Sequence, residues 1–170
     1  MKLYLLRHGA AENQSATGRD ADRALTADGR QRTRLVAIEL AKRGESPKRI
    51  ISSPLHRAVE TAEVIAGALG SGIAPEQRDE LAPGGRAYAL VRQLVAEGAK
   101  KVMLVGHEPD LSSLALLLLP HWSGASQGFD KSMVLGVRVR GAQSKRTATD
   151  WLEVDGRFVL EPKHLRWVEL

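Results

Sequence analysis

The sequence contains no cysteine. Disulfide scaffolds, cysteine-ligated zinc, iron–sulfur clusters and thiol nucleophiles are excluded with it. Aromatic residues are scarce at 4%, so a core has to rest on Leu, Val, Ile and Ala. A binder of single-stranded nucleic acid would lack the flat side chains on which bases stack. The longest uninterrupted apolar run, Leu114 to Leu119, is too short to cross a bilayer, and no membrane role is expected. Met1 to Arg7 places a charge directly after its apolar stretch and shows no small-residue cleavage site. It does not read as a signal peptide, so the cytoplasm is the expected location. There is no Walker A sequence, no His-Glu-x-x-His and no tight His/Asp cluster, so neither a metal nor any other cofactor is expected. Gly70 to Pro75 begins like a dinucleotide fingerprint but follows a helical pattern rather than a strand, and reads as a turn.

What is present is ordinary globular composition: 170 residues, 43% hydrophobic and 26% charged. That length suits one domain, 1–170, with no linker, repeat or low-complexity stretch to divide it. The net charge is +5, and its origin is local. Residues 131–146 carry Lys131, Arg138, Arg140, Lys145 and Arg146 without a single acid, while the remainder balances 20 bases against 20 acids. A solvated hairpin explains such a strip more simply than nucleic acid does.

Lys2 to Leu6 reads as a buried strand, followed by a polar loop from Ala10 to Leu25. Thr26 caps a helix whose inner face carries Thr33, Val36, Ala37, Leu40 and Ala41 and which ends at Gly44. Arg49 to Ser53 is a second strand. Ser53 and Pro54 read as cap and first residue of a helix that runs to Gly70 with an apolar stripe from Leu55 to Leu69. A Gly- and Pro-rich loop reaches Arg86, and a third helix follows. Lys101 to Val105 is another strand, and Pro109 to Leu119 an apolar, buried helix. Met133 to Arg140 alternates with period two like an edge strand. A short strand at Trp151 to Val154 would end in a hairpin turn at Asp155-Gly156. The alternation of strand and helix predicts a three-layer α/β/α fold, with a mostly parallel central sheet and an antiparallel edge from the C-terminal third.

In open parallel sheets ligands gather at the carboxyl ends of the strands. The first strand runs into Arg7-His8-Gly9 and the second into Ser52-Ser53-Pro54, with Arg57 in the first helical turn. The strand after residue 100 runs into Gly106-His107-Glu108-Pro109. Two arginines and two histidines thus converge on one edge. Guanidiniums offer forked donors matched to phosphate oxygens, and a helix N-terminus adds backbone N–H groups. A neutral histidine in such a pocket can attack phosphorus, and a second, if protonated, stabilises transition-state charge. His56 should point away from Arg57 on its helix, and His121 and His164 sit near aromatics as structural residues.

Leu5-Leu6-Arg7-His8-Gly9, the segment Ser52 to Ala62 and Val105-Gly106-His107-Glu108-Pro109 resemble the histidine phosphatase superfamily, also called phosphoglycerate mutase-like, over at least residues 3–120. Asp22 to Gly29, Glu80 to Gly84, Gly106 to Ser112 and the compact length are most similar to its SixA-type phosphohistidine phosphatases. The resemblance implies His8 as the nucleophile that accepts the phosphoryl group, with Arg7, Arg57 and His107 binding its oxygens. It implies a carboxylate proton donor in the loop before the third helix. Glu80, four residues before Gly84, matches that spacing; Asp79 could take its place, and Glu12 is a further candidate from the first loop. The substrate implied is phosphohistidine in a protein. The alternatives are a small phosphomonoester, or a catalytically silent phospho-binding module; a mutase is disfavoured because the chain lacks length for a lid. The basic strip 131–146 is expected to flank the site and dock an acidic protein surface.

Overall fold

The computed structural model describes residues 1–70, 72–141 and 152–170. Its strands are β1 (Lys2–Arg7), β2 (Arg49–Ser52), β3 (Glu76–Gln77), β4 (Lys101–Gly106), β5 (Val134–Arg140), β6 (Glu153–Glu161) and β7 (Arg166–Glu169). The helices are α1 (Ala27–Lys42), α2 (His56–Leu69), α3 (Ala87–Ala96) and α4 (Asp110–Leu118). All strands join one seven-stranded sheet in the order β3-β2-β4-β1-β5-β6-β7. The first four neighbours run parallel; β5, β6 and β7 continue antiparallel. The α/β/α layering is as the sequence predicts, with a sheet divided evenly between the two kinds of pairing.

The central strands are apolar on both faces because both faces are covered. Leu3 and Leu5 of β1, with Val102 and Leu104 of β4, pack on α3 and α4 through Leu90, Leu94, Leu111 and Leu114. Tyr4 and Leu6, with Met103 and Val105, pack on α1 and α2 through Val36, Leu40, Ala58 and Ile65. Thr26 caps α1 by accepting from Gly29 N–H at 3.0 Å, and Gly70 ends α2 in the left-handed region at φ 57°, where glycine alone is unstrained.

Several local expectations are corrected. The helix α2 begins at His56, not at Pro54, because Ser53 N–H continues the β2–β4 ladder by donating to Val105 C=O at 2.9 Å. Ala41 lies on the exposed side of α1. The loop before α3 contains the short strand β3, held parallel to β2. Leu116 and Leu117 of α4 are 47% and 53% exposed, so that helix buries one face only. The strand β5 is interior, between β1 and β6, and β7 forms the edge. Asp155 and Gly156 are not a turn: they pair with Arg138 and Val137 inside β6, and the chain reverses over residues 162–165, where Leu165 takes φ 51°. Trp151 lies outside the described residues.

Candidate active site

The connections fix where the site must be. The chain leaves β1 and β2 into α1 and α2 on one face, and leaves β4, which lies between them, into α4 on the other. Strands whose connections diverge to opposite faces open a crevice at their carboxyl ends. Residues from all three strand ends meet there: Arg7 at the end of β1 and His8 after it, Ser53 after β2 and His107 after β4. The rings of His8 and His107 are 5.0 Å apart, centroid to centroid, and each residue is only 3% exposed.

Hydrogen bonds assign the protons on both rings. His8 Nδ1 lies 2.8 Å from Gly9 C=O; a carbonyl only accepts, so Nδ1 carries the proton and Nε2 keeps its lone pair. His107 Nε2 lies 2.7 Å from Ser53 Oγ. Ser53 Oγ accepts from Leu55 N–H at 3.3 Å, and because the residue is fully buried with His107 Nε2 as the one acceptor its hydroxyl reaches among the described residues, its own hydrogen goes to His107 Nε2. That leaves the His107 proton on Nδ1, a buried donor without a protein partner. Burial, reinforced by the charges of Lys131 and Arg57, lowers the pKa of His8 to about 3. Burial, with Arg57 and Lys131, lowers that of His107 to about 4. Both rings are therefore neutral near pH 7 in the unliganded site, so the condition attached to the second histidine, that it be protonated, is not met there.

Two guanidiniums complete the pocket. Arg7 donates through Nη1 to Phe129 C=O. That carbonyl is positioned by Glu108, which accepts from Phe129 N–H at 3.1 Å and from Ser112 Oγ at 2.7 Å. Arg57 donates to Asp20 C=O at 2.9 Å and pairs with its carboxylate at 3.2 Å. Burial pushes both guanidiniums below their ordinary range. Arg7 Nε, Arg57 Nε and His107 Nδ1 are the buried side-chain nitrogens and oxygens without a partner among the described residues. Unsatisfied buried donors are costly and rare, and here all three belong to one pocket. Convergent, unpaired N–H groups with net positive charge are what an oxyanion of phosphate type requires. Gly9 lets the loop after β1 pack closely on α1: a Cβ there would sit 2.7 Å from Thr33 Oγ1.

The candidate acids Glu80, Asp79 and Glu12 stand apart from this group, in contrast to Asp20, whose carboxylate pairs with Arg57. Glu80 lies in a 3-10 turn at Asp79–Leu81, where Arg78 grips both its oxygens at 2.5 and 3.1 Å. That fork holds its carboxyl below the usual range. Asp79 and Glu12 are exposed. The charges that weigh on His8 with its burial are those of Lys131 and Arg57. His56 is exposed and 3.4 Å from Glu60. His121 and His164 are also exposed. Among the described residues, no group of three or more His, Asp or Glu is placed to hold a metal ion, and no helix is long and apolar enough to cross a membrane.

The basic strip does not stay together. Lys131 reaches the pocket, its Nζ 3.4 Å from His8 Nε2. Arg138 lies across from Lys2, at the opposite end of β1, and Arg140 is neutralised by Asp155 and Glu153. A strand rises about 3.3 Å per residue, so β5 carries these two arginines roughly 20 to 26 Å away from the site. The expectation that the strip flanks the site is thus wrong for Arg138 and Arg140; Lys145 and Arg146 lie outside the described residues. Sequence reasoning missed Lys131 and Ser53 as members of the pocket. A usable signal existed for Lys131: a strand that pairs antiparallel with β1 must begin beside the end of β1.

Residues 3–83 match the histidine phosphatase superfamily (branch 1). An uncharacterized protein of Picosynechococcus sp. is 37% identical over 88% of this chain and 92% of its own length. The phosphohistidine phosphatase SixA of Escherichia coli is 31% identical over 71% of this chain and 75% of its own. The structure of a protein histidine phosphatase SixA complexed with tungstate superposes with a TM-score of 0.82 at 26% identity, covering 98% of this chain and 100% of that one.

Proposed function

The chain belongs to the histidine phosphatase superfamily, and on that premise we propose that it hydrolyses phosphohistidine in a protein through a phosphoenzyme on His8. Family membership supports hydrolytic phosphatase activity in general. The pocket geometry motivates the finer steps. His8 Nε2 attacks phosphorus: an Nε2–P bond forms, and the P–N bond to the substrate ring breaks. The electron pair of that bond goes to the departing nitrogen. The substrate imidazole leaves neutral once solvent has protonated its other nitrogen. Arg7, Arg57 and the Nδ1–H of His107 donate to the phosphoryl oxygens throughout. Water then attacks phosphorus, the Nε2–P bond breaks with its pair returning to Nε2, and inorganic phosphate carries the water oxygen away. The tungstate named in the SixA complex is a tetrahedral oxyanion like phosphate, which agrees with such a pocket.

One observation carries the choice of substrate: Glu80, the candidate acid, is held as a carboxylate by Arg78. An alkoxide needs a positioned acid to depart, whereas a protonated imidazole does not. A phosphoramidate is therefore the substrate class this pocket suits, and a phosphomonoester the class it serves poorly. The test is to incubate the protein and its His8→Ala variant with a histidine-phosphorylated carrier protein and with a panel of phosphomonoesters. Loss of label from the carrier, abolished in His8→Ala, is expected. Turnover of sugar phosphates with none of phosphorylated carriers would replace this reading by the phosphomonoesterase one.

A further inference from the structure

The strand β5 runs antiparallel to β1, so the chain enters it at the edge where β1 delivers His8. Lys131 stands just before that entry, with Nζ 3.4 Å from His8 Nε2. Its backbone is fixed to the same edge. The next residue, Ser132, is fully buried and donates its N–H to Arg7 C=O at 3.1 Å. Its Oγ meets Thr33 Oγ1 at 2.9 Å, and it holds φ 67°, a conformation few side chains adopt unless their surroundings impose it. Arg7 and Arg57 each commit a terminal nitrogen to a backbone carbonyl. Among the described residues no carboxylate pairs with Lys131. Its ammonium therefore faces the reacting atom of the pocket uncompensated.

We infer that Lys131 is a catalytic residue of this site: its ammonium binds an oxygen of the phosphoryl group as that group passes to and from His8 Nε2. The inference rests on the phosphatase reading above. A phosphorus bonded to Nε2 takes the position on the lone pair that the ammonium faces at 3.4 Å, so Nζ gives way as the group arrives and is left against one of its oxygens. The lysine then acts as a third cation beside Arg7 and Arg57. As a stabiliser of charge developing in the transition state, it should affect the chemical step more than binding.

The groups around it set how it titrates. His8 faces it from the end of β1, His107 from the end of β4, Arg7 and Arg57 from β1 and α2, and Arg23 from the first loop; Asp28 and Arg32 of α1 line the groove beside it. Burial, with the charges of Arg7, Arg57 and Arg23, lowers its pKa to about 8. The lysine is an ammonium below that pH and a neutral amine above it. The free-enzyme profile, kcat/KM, should consequently fall as pH rises through about 8.

The experiment uses the full chain with phosphoramidate, a small donor carrying a P–N bond. Phosphohistidine formation and phosphate release are followed from about pH 6 to about pH 9.5 for wild type, Lys131→Met and Lys131→Arg. Lys131→Met should slow phosphoenzyme formation about 100-fold, with the loss mainly in kcat. Lys131→Arg should retain most activity and lose the alkaline fall, because a guanidinium stays charged across that range. A Lys131→Met rate within about twofold of wild type, or an unchanged alkaline fall in Lys131→Arg, would overturn the inference and leave the phosphatase reading intact. Absence of any phosphoenzyme in wild type would overturn the phosphatase reading, and the role of Lys131 with it.

Discussion

Two neutral histidines buried at one site should make this protein sensitive to mild acid. The unfolded chain protonates an imidazole near pH 6.5. In the folded protein, burial keeps His8 neutral down to about pH 3 and His107 down to about pH 4. The unfolded state therefore binds more protons between those limits, and stability must fall as pH drops through 6.5. At about pH 5 the cost is about 2 kcal/mol for each ring, or about 4 kcal/mol for the pair. That is a large part of the stability of an ordinary domain. Urea titrations at about pH 7.5 and about pH 5 measure it directly. Wild type should lose about 4 kcal/mol between the two conditions, and a His8→Asn/His107→Asn double variant should lose much less. Equal losses in both proteins would refute the assignment of two neutral rings. They would also undermine the lone pair on His8 Nε2 from which the mechanism starts.

Two further predictions concern Ser53 and Glu80. Ser53→Ala removes the hydroxyl that fixes the His107 proton on Nδ1. It should lower kcat about tenfold with little change in KM, and Ser53→Thr should rescue it, as steady-state kinetics would show; a KM effect alone would mean that Ser53 only shapes the pocket. Glu80→Gln should leave hydrolysis of a phosphorylated histidine carrier within about twofold of wild type, since Arg78 already holds that carboxyl ionised. A loss of about 100-fold or more would restore Glu80 as the working acid.

The parallel half of the fold was legible in the sequence for a clear reason. Strands such as β1 and β4 are buried on both faces and read as continuous apolar runs, and the helices between them carry well-formed stripes and end signals. The same feature exposed the pocket, because residues placed directly after such strands must meet at one sheet edge. The C-terminal third was less legible. An Asp-Gly pair marks a turn only when the chain is free to reverse, and pairing with Arg138 and Val137 of β5 holds Asp155 and Gly156 extended. Ser53 carries a side chain suited to a helix cap, yet its backbone belongs to the β2–β4 ladder and its hydroxyl to His107. Lys131 was hidden by its neighbours in sequence. Grouped with Arg138 and Arg140 it looks like part of a charged strip, and only the direction of β5 separates the one from the others. Glu80 illustrates a further gap, since loop spacing says nothing about whether Arg78 will close on its carboxylate.

The account turns on one atom, the unprotonated Nε2 of His8. Phosphorus NMR of the protein mixed with phosphoramidate, beside the His8→Ala variant, tests it most directly. A phosphohistidine resonance that is stable in base and lost in acid, present in wild type and absent from His8→Ala, is the predicted result. A phosphoenzyme signal that persists in His8→Ala, or hydrolysis by wild type with no covalent intermediate under rapid quench, would contradict the account.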